Sequence, residues 1–250
     1  MGLSKSSANA NREERGVDLS FPGCWVGGIS MVLGPILLLI GVALRFQFDF
    51  FFPQQLAAFQ THPTLMTASY NVFAAGNILM WPAIVALANL IGGARPGWAV
   101  WGGTLAIFGL FARTHSAGID HLAFQLVRVQ DLELATKAVA DSYGAYDMFH
   151  AVSFGAFFGW MVLAIGAFLS GTLGLFRSIA LALMSALMLG TLKGTTVTSI
   201  VATAGLCVAV VPLGIRVLRH GSTPNLRTAL LQSLAAIGVI ALVFFLGPRA

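Results

Sequence analysis

Charge is what this sequence has least of. Only 9% of its 250 residues are Asp, Glu, Lys or Arg, where a soluble globular domain carries roughly a quarter. A chain so short of charge cannot clothe a globule in solvated side chains, which excludes an ordinary soluble enzyme or binding module. Cysteine is scarcer still: Cys24 and Cys207 stand far apart, offer neither a disulfide framework nor metal-ligand spacing, and are expected to be packing thiols. There is also no phosphate-binding glycine loop, nucleophile elbow, His-Glu-x-x-His or Cys-x-x-Cys, so the chemistries tied to those spacings have no signal here. The stretch 1–23 is polar and mixed in charge, without the compact basic region and cleavage site of a signal peptide, so the first apolar run is expected to be retained.

What the chain has in quantity is hydrophobic residues, 57% of the total, with a mean hydropathy of +0.85. Apolar runs long enough to cross a bilayer, about 18 residues or more, recur along the whole length. This pattern predicts an all-α, polytopic integral membrane bundle: a polar cytoplasmic tail over 1–23, then a single transmembrane domain over 24–250. Seven spans are expected, at 24–46, 65–92, 97–127, 147–170, 174–192, 195–218 and 227–247. Between the fifth and sixth, the stretch Leu192-Lys193-Gly194-Thr195-Thr196 supplies the break, because one unbroken helix would overshoot a core about 30 Å thick.

The net charge of +5 comes from Lys and Arg scattered at segment ends. That distribution fits the positive-inside rule and predicts no nucleic-acid partner. Lys5, Arg12, Arg15, Arg95, Arg177, Arg216, Arg219 and Arg227 collect on one side, giving an N-in, C-out orientation in the cell (cytoplasmic) membrane. The two longest connections, 47–64 and 129–146, then lie outside. In the first, Arg45 and Asp49 have the spacing of a helical ion pair amid five phenylalanines that read as an interfacial anchor. In the second, the good helix formers after Asp131 predict a short surface helix.

Within this apolar chain, the stretch Phe111 to Asp131 concentrates Arg113, His115, Asp120, His121 and Arg128. Ionisable side chains in a membrane segment face a cavity or one another, because hydrocarbon supplies no partner. At about 1.5 Å per residue, Asp120 and His121 stand about 35 Å from the start of the third span, at the outer edge of the hydrocarbon. Helical periodicity places Arg113, Ser116, Ala117, Asp120 and Phe124 on one face, with His121 and Arg128 on its flank and His115 pointing away unless Gly118 distorts the helix. The fourth span begins with Asp147 and His150, an (i, i+3) pair at matching height. Tyr70 and Asn77 share a stripe on the second span, and Lys193 approaches from the break between the fifth and sixth.

Four readings of this set are open. Arg113, Arg128, Asp120 and Asp147 serve as interhelical ion pairs. Or His115, His121, His150 and Asp147 hold a transition metal, Zn, Fe or Cu, for which imidazole and carboxylate are suitable ligands. Or the site is metal-free, with His121, Asp120, His150 and Asp147 as acid/base groups and Arg113, Asn77, Tyr70 and Lys193 binding substrate. Or two histidines ligate haem. The leading expectation is a membrane-embedded enzyme for a lipidic or hydrophobic small molecule. A non-catalytic subunit of a larger membrane complex, a homo-oligomer and a transporter are the alternatives, the last disfavoured by the absence of a repeat between halves.

Overall fold

The computed structural model describes residues 19, 21–142, 148–187 and 192–221, with single positions at 231, 234 and 238; the side chains of 149–151 lie outside the description. Among the described residues every regular element is helical. They are α1 (Cys24–Leu44), α2 (Phe52–Thr61), α3 (Pro63–Gly92), α4 (Pro96–Val129), α5 (Leu132–Ser142), α6 (Met148–Leu169), α7 (Leu175–Ala182), which runs on as a 3₁₀ turn over Leu183–Ala186, and α8 (Val197–His220). α1, α3, the Val152–Leu169 part of α6, and α8 are each long and apolar enough to cross a membrane, with mean hydropathies of 1.7 to 2.3. The expected seventh span, 227–247, falls almost wholly outside the described residues.

The long helices form a closed ring: α1 packs on α3, α3 on α4, α4 on α6, α6 on α7, α7 on α8, and α8 back on α1. Small residues set how closely they approach. A Cβ on Gly159 would stand 2.3 Å from the backbone nitrogen of Ala106, and one on Gly109 would stand 2.3 Å from Cα of Ala156. α4 and α6 therefore touch backbone to backbone, the contact that small-residue spacing permits in lipid. α1 and α3 are tied similarly, with the Ser69 hydroxyl donating to the carbonyl of Gly41 at 2.7 Å.

α4 has 34 residues, or about 51 Å, well beyond a core of about 30 Å. Its last turns stand with α2 and α5 at one end of the bundle, where Phe59 stacks on Phe124 at 4.4 Å and Leu56, Met66, Ala135 and Leu192 join a second apolar cluster. α5 is the surface helix expected after Asp131, whose carboxylate accepts from the backbone N–H of Leu134 at 2.7 Å. α2 falls in the connection expected over 47–64, where Pro53 at its first turn and the helix formers that follow make a helix.

The fifth expected span is corrected. Helix persists only to Ala186, and Leu187 is already extended. Eight α and four 3₁₀ residues rise about 20 Å, too little to cross. The segment nonetheless passes from one end of the bundle to the other. Near its start Thr172 donates to Leu90 O, at the C-terminal end of α3. At its finish the Gly194 N–H donates to Phe50 O at 2.8 Å, and the Thr195 hydroxyl donates to Val42 O at 2.9 Å. Beyond the helix, Leu187 is extended and Leu192 has a positive φ of 49°; non-helical backbone is tolerated at membrane depth only where protein surrounds it. α8 then starts from a capping box between Thr196 and Ser199.

Candidate functional site

The charged face of α4 meets this broken segment. Arg113 and Asp120 are 8% exposed, and each bonds to non-helical backbone, Arg113 to the extended Leu187 and Asp120 to Leu192, whose φ is 49°. Arg113 Nη2 donates to Leu187 O at 3.3 Å, and the Leu192 N–H donates to Asp120 Oδ1 at 2.5 Å. Backbone groups left without helical partners in a low-dielectric interior are costly, and hydrogen bonds to ionised side chains are the stronger kind. The two charges therefore tie α4 to the backbone at Leu187 and at Leu192. No salt bridge between spans is needed to explain their burial.

Arg113, Ser116, Ala117 and Asp120 line one chamber, together with Val42, Arg45, Phe50, Tyr70, Phe73, Leu187, Lys193, Gly194 and Ser199. Their spacing along α4 puts them on one face. The chamber measures about 40 Å³, which admits a few water-sized occupants and no lipid. Its roof is a chain of polar contacts: Tyr70 Oη donates to Gln55 Oε1 at 3.0 Å, and Gln55 Nε2 donates to Asp49 O at 2.5 Å. Arg45 was expected to pair with Asp49 along a helix. α1 ends at Leu44, so that spacing no longer applies, and Arg45 turns inward to lie 4.5 Å over the Tyr70 ring and 4.7 Å over that of Phe73. The cue available in the sequence was a lone cation ending an apolar run.

Asn77 occupies a smaller neighbouring cavity, shared with Phe73, Ala74, Ile78, Arg113, Thr114 and Ala117. Its Nδ2 donates to Thr114 Oγ1 at 2.9 Å and to Leu110 O at 3.3 Å, joining α3 to α4. Lys193 reaches the chamber wall with its ammonium 5.2 Å over the Phe50 ring.

Asp120 and His121 are not brought together. Successive helical residues diverge by about 100°, so Asp120 enters the buried chamber while His121 is exposed on the flank. There it lines a groove of about 130 Å³ with Phe59, Thr67, Tyr70, Asn71, Ala74, Ala117, Phe124, Gln125 and Arg128. His115 is half-buried and lines none of these three cavities. Asp147 and the side chain of His150 lie outside the described residues. Among the described residues no three His, Cys, Asp or Glu side chains converge on a point that could hold a metal ion.

Compared with known proteins, the chain matches no family model, no curated protein and no solved structure.

Proposed function

We propose that this is a polytopic membrane protein that takes the polar head of a membrane amphiphile into the groove between α3 and α4, with His121 as the group that exchanges a proton with it. One observation carries the proposal. His121, Gln125 and Arg128 of α4 face Thr67, Tyr70 and Asn71 of α3 across a single groove. The first three and the last three each fall on one helical stripe. His121, Arg128 and Asn71 are exposed rather than turned into the bundle, so the groove opens sideways, as a site reached from the bilayer must.

The chemistry of the lining suits such a ligand. Arg128, held 5.2 Å over the Phe59 ring, supplies a cation for an anionic head. Below it, Ala74 lines both the groove and the next cavity, where Ile78 follows, and the exposed Phe111 ring lies edge-on to Trp81 at 4.3 Å; this is a track for an acyl chain. Since Asp120 faces the chamber, His121 acts without a carboxylate from its own helix to orient it. With the amino terminus inside, the groove lies at the outer edge of the cell membrane.

Mass spectrometry of the amphiphiles retained by the purified protein, followed by their titration onto variants, tests this. Arg128→Ala is expected to weaken binding of an anionic amphiphile, and His121→Ala to stop its turnover while binding persists. A protein that retains no amphiphile, and whose Arg128→Ala variant binds dodecyl phosphate as the parent does, would overturn the proposal.

A further inference from the structure

We infer that the buried chamber is a binding site for one small monovalent inorganic anion, of the size of chloride, held by Arg45 and Arg113. This site is distinct from the amphiphile groove, with which it shares only Tyr70 and Ala117. It does not depend on the groove's function.

Arg45 is 5% exposed, and its Nε and Nη1 atoms are buried without a hydrogen-bond partner. The ring faces of Tyr70 and Phe73 hold its guanidinium, but a ring face leaves the in-plane N–H groups without an acceptor. Arg113 stands over the same Phe73 ring at 5.7 Å, and its one described hydrogen bond goes to the Leu187 carbonyl. Two buried guanidinium groups therefore share one aromatic ring and one cavity, with the Lys193 ammonium on the same wall. Against these two guanidinium groups the lining has one carboxylate among the described residues, Asp120, and its Oδ1 accepts from the Leu192 N–H.

Buried like charges repel strongly where the dielectric is low, and an unpaired buried charge is costly. An anion in the chamber offsets both at once and gives the orphaned Arg45 N–H groups an acceptor. Size sets the class of ion. About 40 Å³ holds roughly three water-sized spheres, enough for a halide with a water or two and too small for a lipid head.

The test uses the full chain, purified in detergent, with sodium chloride exchanged for sodium gluconate at constant ionic strength. Gluconate is too large for the chamber. Chloride is expected to raise the thermal unfolding midpoint saturably and to broaden the chloride NMR line. Arg45→Gln should remove both effects and Arg45→Lys should weaken them. Asp120→Asn keeps an oxygen for the Leu192 N–H and deletes the competing negative charge, so it should tighten chloride binding several-fold, an effect that a merely structural role for Asp120 would not produce. Equal midpoints in the two salts and an unbroadened line for the parent protein would overturn the inference and assign the chamber to water. If Arg45→Gln does not fold, the folded Asp120→Asn variant decides: unchanged chloride affinity there also overturns it.

Discussion

Asp120 Oδ1 and the backbone nitrogen of Leu192 lie 2.5 Å apart, 72 residues distant in the chain. A carboxylate on an intact helix thereby gives a partner to a backbone N–H that no helix satisfies. Arg113 and the carbonyl of Leu187 make the complementary contact, one charge supplying an acceptor and the other a donor.

Removal of the Asp120 acceptor leaves the Leu192 N–H buried without a partner. Asp120→Ala is expected to cost about 3 kcal/mol of stability, and Asp120→Asn, which keeps an oxygen, about 1 kcal/mol. Unfolding midpoints of the two variants in detergent measure the difference. Equal losses would show that charge, and not the hydrogen bond, is what matters at this position.

Gly194 closes the broken segment against the first loop. A Cβ there would stand 2.6 Å from Cα of Phe50 and 2.9 Å from the Asp49 carbonyl, backbone atoms that cannot yield as a side chain can. Gly194→Ala is expected to cost about 2 kcal/mol and to raise hydrogen exchange at the Gly194 amide, whose acceptor is Phe50 O. An amide as protected as in the parent would count against this junction.

Two glycines should respond oppositely. Gly159→Val drives a side chain into the backbone of Ala106 and is expected to lower stability by about 3 kcal/mol by prising α4 from α6. At Gly118 a Cβ meets nothing within 4 Å, so Gly118→Ala is expected to gain about 0.5 kcal/mol from helix propensity alone. A loss at Gly118 would mean that the helix needs a bend there.

The proposed orientation is open to labelling. Arg95 and Asp131 are exposed at opposite ends of α4. In a background with Cys24 and Cys207 replaced, a membrane-impermeant maleimide should label Asp131→Cys in intact cells and leave Arg95→Cys untouched. The reverse pattern would invert the topology and put the groove inside.

Hydropathy is a local property, and for that reason the sequence by itself determined the apolar helices long enough to cross a membrane, α1, α3, α6 and α8, and the charged face of α4. Helical periodicity likewise placed Arg113, Ser116, Ala117 and Asp120 together, because 3.6 residues per turn holds wherever the helix is straight. Tertiary structure decided the rest. An apolar run such as Leu175 to Leu187 carries the same hydropathy whether it is wound or extended. Only the tertiary structure shows the helix stopping at Ala186 and Arg113 and Asp120, some seventy residues away, bonding to the backbone of Leu187 and Leu192. The inward turn of Arg45 depended on the rings of Tyr70 and Phe73 arriving from α3. The separation of Asp120 from His121 followed from which side of α4 its neighbours cover, a choice that neighbouring residues in a sequence cannot reveal.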